Sequence, residues 1–538
     1  MLEAPTGLAT IRPLRDAGYT VGLLAAAILS GYGLLAPERL GLVIDFEPPV
    51  RIVGSITSGV TEPPAPGRPS SADTPVSVTR RELAPSAPRR TEPGKRLQTV
   101  RLTPDARLEA ARPVPDVRSV PQPARPERPR GTWSGAVAGK VLDQDGQALA
   151  GASVVAGGVE TRLGDDGTFS VTPPSDATLI VKRPGYAKLS VEPSPLKGPL
   201  ELVMRPQVVK AAYLTYFGFG DRGIRGRVLD LVERTELNAV VIDVKGDRGW
   251  IIYPTRVEQA LAIGAQGPAT LRDFDGMMAD LKARGVYTIA RIVTFKDNIL
   301  ATARPELAVT DVRTGKPWID REGLAWVDPF REEVWNYNIA LAREAIERGF
   351  DEVQFDYVRF PTDGKLQAAK YVKPVTKETR LPTIAAFLER ARKELGARGG
   401  YLAADLFGYT AFNENDTDIG QRIEELAPHL DYICPMVYPS GYHVGIPGFR
   451  NPVQNSYAVV RESVRLIRKR AAHTPARVRP WLQDFRDYAF DRRIFGVAEI
   501  RDQIRGADEG GSSGWMLWNP RNDYTGGALR AKIPLAAR

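Results

Sequence analysis

The sequence predicts an α/β protein whose largest part is a (β/α)8 barrel, and two observations in its C-terminal half predict it. From Val208 to the end, β-type and helical patterns alternate. The strand candidates are AAYLTY, AVVIDVK, YTIARIVTF, EVQFDYVRF, YLAADLFGY, DYICPMVY, RVRPWLQDF and GWMLWN, separated by stretches such as LRDFDGMMADLKARG and REEVWNYNIALAREAIERG. Strand–helix repeats make parallel sheets, and eight of them over roughly 330 residues suit a closed barrel better than an open sheet. The second observation is that long connections, DRGWIIYPTRVEQALAIGAQGPAT and KPVTKETRLPT among them, fall after strands, on the face where such barrels carry their sites.

Three segments precede the barrel, 208–538. Ala17 to Pro37 are 21 residues without a charge, long enough to span ~30 Å of hydrocarbon. Arg12 and Arg15 before them place residues 1–16 in the cytoplasm and everything downstream outside it, so a membrane-anchored protein with a periplasmic or extracellular bulk is expected. The alternative is a cleaved signal peptide, which exports the same residues. Thr61 to Arg130 hold 15 prolines in 70 residues with no apolar periodicity, which predicts a disordered, extended spacer. From Trp133 to Pro206, short β-type runs alternate with turns at Gly146, Gly167 and Gly185, as in a small β-sandwich.

Composition removes several chemistries. The single cysteine, Cys434, excludes disulfides and multi-thiolate zinc sites, and the three histidines show no ligand spacing to one another. No cofactor is implied and no metal-ligand residues are assigned, while a bound Ca²⁺ or Mg²⁺ stays open at this point. The net charge of +9 does not point to nucleic acid, because +6 of it lies in the Pro-rich segment, away from any folded basic face. Chemistry then falls to the 64 carboxylates.

Strand alternation sorts those carboxylates. In EVQFDYVRFP, Val353, Phe355 and Tyr357 share the face toward the helices, while Gln354 and Asp356 point into the barrel. Asp356 therefore stands inward at a strand's C-terminal end, with Arg359 as its structural partner if it has no other role. Asp243 and Lys245 share a face in AVVIDVK, Asp405 ends an apolar run in YLAADLFGY, and Gln483 and Asp484 end the seventh strand. Aromatic residues cluster at the same ends, including Phe217, Trp250, Tyr438, Trp481 and Trp518. Flat apolar rings beside carboxylates suit sugars, which have apolar faces and polar edges. A phosphate-binding barrel would place a glycine-rich loop on top after strand seven or eight, whereas Gly510-Gly511-Ser512-Ser513-Gly514 precedes strand eight on the bottom.

Two resemblances follow from these motifs. Gly139-Lys-Val-Leu-Asp143, Gly146, Gly151-Ala152-Ser-Val154 and Asp166-Gly167-Thr168-Phe169 resemble the carboxypeptidase regulatory-like domain, which implies a non-catalytic spacer or adhesion module over 133–206. Residues 208 to about 524 resemble a bacterial TIM-barrel family assigned to glycoside hydrolysis. The carrying motifs are Val241-Ile242-Asp243-Val244-Lys245, Ala290-Arg291-Ile292-Val293, Trp326-Val-Asp328-Pro329, Gln354-Phe-Asp356-Tyr357-Val-Arg359-Phe360-Pro361, Pro435-Met436-Val-Tyr438-Pro439 and Trp481-Leu-Gln483-Asp484-Phe. This resemblance implies hydrolysis of a polysaccharide by two carboxylates.

The expected reading is a membrane-anchored glycoside hydrolase acting on a cell-envelope or extracellular polysaccharide. Asp356 is the candidate nucleophile or base, and Asp405 and Asp243 compete as proton donor. Arg291, Lys245, Arg359 and Gln354, with Tyr438, Trp481, Gln483, Asp484 and Trp518, are the candidate substrate-binding residues. Pairing Asp356 with Asp405, on neighbouring strands, predicts retention; pairing it with Asp243, two strands away, predicts inversion. The rival is a non-catalytic polysaccharide-binding or scaffold protein with a degenerate barrel. A second inward carboxylate near Asp356 separates the two.

Overall fold

The computed structural model describes residues 131–532 except 196–197, 269–270 and 272. The expected membrane helix 17–37 and Pro-rich linker 61–130 lie outside the described residues. Among the described residues, no helix is long and apolar enough to cross a membrane.

Residues 133–206 form two small sheets around one core. The strands are β1 (Val137–Leu142), β2 (Ser153–Ala156), β3 (Val159–Arg162), β4 (Thr168–Val171), β5 (Leu179–Lys182), β6 (Leu189–Val191) and β7 (Leu200–Val203). One sheet has the order β4-β1-β7 and the other β3-β2-β5-β6. Alternation fills the space between them: Val137, Val141, Phe169 and Val171 of one sheet meet Val154, Leu179 and Val181 of the other. Gly167 turns the chain at φ 66°, where a Cβ would meet the Val141 carbonyl oxygen at 2.6 Å.

The barrel strands are β8 (Val209–Leu214), β9 (Ala239–Lys245), β10 (Tyr287–Val293), β11 (Glu352–Asp356), β12 (Tyr401–Phe407), β13 (Tyr432–Met436), β14 (Trp481–Gln483) and β15 (Gly514–Trp518). Each pairs in parallel with the next, and β15 closes on β8 through Gly514 opposite Val209. All eight expected strands are present. Their apolar runs are continuous because they are buried on both faces, against helices outside and against one another inside. The connecting helices are α1 (Arg222–Arg234), α2 (Phe274–Ala283), α3 (Glu332–Glu347), α4 (Lys377–Gly396), the short α5 (Ile423–Leu426), α6 (Ser456–Arg470) and α7 (Val497–Gly510). Among the described residues after β15 there is a 3-10 turn at Gly526–Ala528 and no α-helix, where the strand–helix repeat predicts an eighth.

The barrel interior is layered. At the bottom, the fully buried Arg479 is ion-paired to Glu352, which also accepts from the Tyr287 hydroxyl at 2.9 Å. In the middle lie Cys434, Met516 and Gln354. The top layer carries the charged groups described below.

The sandwich packs against the bottom of the barrel. The buried Lys182 Nζ donates to the Gly400 carbonyl at 2.7 Å, just before β12, and Lys188 Nζ donates to the Asp351 carbonyl at 2.6 Å, just before β11. Tyr401 Oη donates to the Arg183 carbonyl, and Tyr432 Oη accepts from the Gly185 amide, each at 2.9 Å. Glu160 bridges Lys182 of its own sheet and Arg392 of α4 at 3.2 and 2.7 Å. These contacts seat the sandwich on the barrel and hold the two together.

Candidate active site

The site begins with register. In the parallel ladder, Arg291 of β10 lies opposite Asp243 of β9 on one side and Gln354 of β11 on the other, so Arg291 sits between strands that bring carboxylates to the same height. Its guanidinium collects three of them. Nη1 donates to Asp243 Oδ1 at 2.5 Å, and Nη2 and Nε donate to Asp356 Oδ2 at 2.5 and 3.1 Å. Asp405 Oδ2 lies 3.9 Å from the same Nε. Both oxygens approach the same nitrogen, at 3.1 and 3.9 Å, so the Asp356 and Asp405 oxygens are at most the sum of those distances apart.

Other contacts hold each carboxylate in place. Asp243 Oδ2 accepts from Tyr213 Oη at 2.5 Å, Asp356 Oδ1 from the Tyr357 amide at 2.6 Å, and Asp405 Oδ1 from Trp481 Nε1 at 2.7 Å. Tyr213 stacks on Trp518 with ring centroids 4.0 Å apart, and Trp481 meets Trp518 edge-on at 5.3 Å. The Arg291 guanidinium lies 5.0 Å from the Trp518 ring centroid. Exposure differs within the trio: the side chains of Asp243 and Asp356 are each 7% exposed, that of Asp405 only 1%. Burial and the neighbouring Asp356 charge push Asp405 well above the usual carboxylate range, against the Arg291 charge. Burial also pushes Asp243 up, against Arg291 and the Tyr213 hydroxyl. Three acids around one cation cannot all stay ionised cheaply in a closed site, and Asp405 is the member most strongly driven to hold a proton.

Tyr357 has φ 49°, a left-handed conformation that is costly for a tyrosine and aims its amide at Asp356. It ends the strand alternation one residue past Asp356.

Among the other expected site residues, Tyr438, Trp481 and Trp518 belong to the buried cluster that fills the barrel interior. Gln354 points inward as expected but lies below the carboxylates, its Nε2 3.5 Å from the Met516 sulfur. Lys245 needs correction. A bulge in β9 puts Lys245, not Val244, opposite Ile292, which breaks the alternation. Lys245 therefore leaves the face of Asp243; it is fully buried, bonded to Asp297 at 2.6 Å and 5.2 Å from the Tyr337 ring of α3. Arg359 is not the partner of Asp356 either, since it stacks among Trp326, Tyr357 and Phe407 at 5.0–5.1 Å. Gln483 is fully buried and ties Ser440 to Gln503, and Asp484 holds the Thr525 amide and hydroxyl at 2.9 and 2.8 Å, so both brace loops. Tyr213 was missed, although alternation in AAYLTY places it inward beside Asp243. Among the described residues no group of three or more His, Cys, Asp or Glu is arranged to hold a metal ion.

Residues 211–524 match the model of the family described as "Putative glycosyl hydrolase domain", and the chain belongs to that family. The class that fold and site define is thus a glycoside hydrolase. Similar solved structures include a hypothetical protein from Ruminiclostridium thermocellum ATCC 27405, 36% identical over 36% of this chain and 96% of that one, with a TM-score of 0.32. The PgaB (BpsB) glycoside hydrolase domain from Bordetella bronchiseptica is 13% identical, covering 59% of this chain and 95% of its own, at a TM-score of 0.43. An alpha-galactosidase from Thermus thermophilus is 16% identical, covering 68% and 72%, at 0.37. No curated protein matches the chain.

Proposed function

We propose that this protein is an exported, membrane-tethered hydrolase of a cell-envelope or extracellular polysaccharide, and that Asp356 is its reacting carboxylate. The observation that carries the site assignment is the convergence of Asp243, Asp356 and Asp405 on Arg291 at the top of the barrel. Two hydrogen bonds from Arg291 fix the orientation of Asp356, which would meet the anomeric carbon or take a proton from water. Asp405, driven toward its neutral form beneath it, keeps the site from holding three charges. A developing oxocarbenium ion needs a carboxylate close by, and Asp356 is the one we assign to face it, with Arg291 as its brace. Phe217, exposed at the rim, and Trp250, 6.3 Å from it and edge-on, would stack on sugar faces, while Trp518 and Tyr438 are buried and back the carboxylates.

Export rests on the charge-free run Ala17–Pro37 behind Arg12 and Arg15, and the sandwich on its likeness to carboxypeptidase regulatory-like domains. The test is a screen of the folded protein against bacterial polysaccharides, with products read by mass spectrometry and Asp356→Asn as control. Fragments released by the wild type and not by the variant are expected. Release by neither on any polysaccharide would move the barrel to the binding-protein reading. For topology, a C-terminal reporter active only in the cytoplasm should stay dark.

A further inference from the structure

A second polar group stands above the Arg291 cluster, built from the loops after β9 and β10. Lys296, fully buried, bonds Glu322 Oε2 at 2.5 Å and Asp320 Oδ2 at 3.0 Å. Its ammonium lies 5.2 Å from the centroid of the Tyr357 ring, and Tyr357 is the residue whose amide holds Asp356. Lys296 thus faces two carboxylates, and their surroundings differ. Asp320 accepts from the amides of Glu322 and Leu324 at 2.9 and 3.0 Å and from Trp326 Nε1 at 3.0 Å, in addition to Lys296. Glu322 has only Lys296. Its side chain is 9% exposed, and its Oε1 is buried without a hydrogen-bond partner. Asp247, four residues beyond Asp243, likewise has a buried Oδ2 with no partner. Orphaned oxygens in a closed polar site carry a desolvation cost unless something polar, such as a sugar hydroxyl or a glycosidic oxygen, comes to meet them.

We infer that Glu322 is the proton donor to the leaving-group oxygen, opposite Asp356 across the scissile bond. The inference rests on the hydrolase reading and deepens it. Asp405, 1% exposed and bonded to the Trp481 indole, lies too deep for that task. Asp320 has its oxygens taken up by four donors, whereas Glu322 keeps one oxygen free, so of the two acids Glu322 is the one placed to serve a substrate. Burial pushes Glu322 up to about 7 against the Lys296 charge, and the negative charges of Asp247 and Asp320 push the same way. In the reaction, the Glu322 proton passes to the glycosidic oxygen as the C1–O bond breaks and its electron pair stays with that oxygen. C1 is met by an Asp356 oxygen, or by a water whose proton Asp356 takes. One water is consumed on either route. On the first, a water adds its oxygen to C1, frees Asp356 and returns its proton to Glu322. On the second, Asp356 gives up its proton to solvent and Glu322 regains one there.

The groups facing Glu322 are Lys296, Asp320, Asp247 and Tyr357. The donor form is populated below about pH 7 and lost above it, so activity should fall on the alkaline side. The test compares wild type with Glu322→Gln on a polysaccharide that the wild type cleaves and on a dinitrophenyl glycoside of the same sugar, whose leaving group needs no proton. We expect a loss of ~100-fold or more on the polysaccharide and under ~10-fold on the dinitrophenyl glycoside, with the alkaline limb gone. Glu322→Asp, which keeps an acid, should retain the limb and guards against a misfolded Gln variant. Equal losses on both substrates, or an unchanged limb in Glu322→Gln, overturn the inference and leave the hydrolase reading standing. A wild type that cleaves nothing overturns both.

Discussion

Replacing Arg291 by methionine would leave Asp243, Asp356 and Asp405 around a cavity with no cation. Removing one member of a buried charge network costs about 3–5 kcal/mol, because the groups left behind stay desolvated. Chemical denaturation of Arg291→Met should show a loss of that size, and a loss below about 1 kcal/mol would mean that water already solvates the trio. At this scale much of the site is legible in the sequence. Alternation alone puts Asp243, Arg291, Asp356 and Asp405 on inward faces, and the length of each strand puts them near its end. Lys245 is misread because a bulge shifts register by one residue, which no apolar pattern announces. Glu322 and Lys296 are invisible for a different reason: they lie in the long connection after β10, where no period orders the side chains. Asp356 pairs with Arg291 across strands instead of with the nearby Arg359, because aromatic rings hold Arg359 away.

At the scale of the element, the sandwich shows how far local pattern reaches. Its strands were legible from β-type runs between glycine turns, except β3, whose VETR carries a single apolar residue. Its docking was not, since contacts such as Lys182 to Gly400 join residues 218 apart in sequence. Glu160 is central to that docking. Burial raises its carboxyl, but the Arg392 hydrogen bond and the Lys182 charge outweigh it and lower the group from 4.5 to about 2. A folded value below the unfolded one adds stability that is present above about pH 4.5 and is lost as pH falls through about 2. Glu160→Gln should therefore cost roughly 1–3 kcal/mol at neutral pH and flatten the acid-side fall in stability. A denaturation series from pH 7 to 2 reads both effects; parallel curves for wild type and variant would contradict this account of the docking.

At the scale of the whole molecule, the sandwich and barrel should behave as one unit. Mild protease should cut within 61–130 first and leave a single stable fragment beginning near Trp133, with no further cut between β7 and β8. Two fragments, one of about 75 residues, would show that the contacts beneath the barrel do not hold in solution. The eight strands and their order were legible because parallel, doubly buried strands are written as unbroken apolar runs. That no eighth helix stands among the described residues was not, since closure of β15 on β8 needs only the strand. The claim on which the rest depends is that Asp356, oriented by Arg291, cleaves glycosidic bonds. The most direct test is the rate at which reducing ends appear from the polysaccharide that the wild type degrades, measured beside Asp356→Asn with both proteins shown folded by their melting curves. Asp356→Asn should lose at least about 1,000-fold, the cost of removing a reacting group. Equal rates in the two proteins would contradict it.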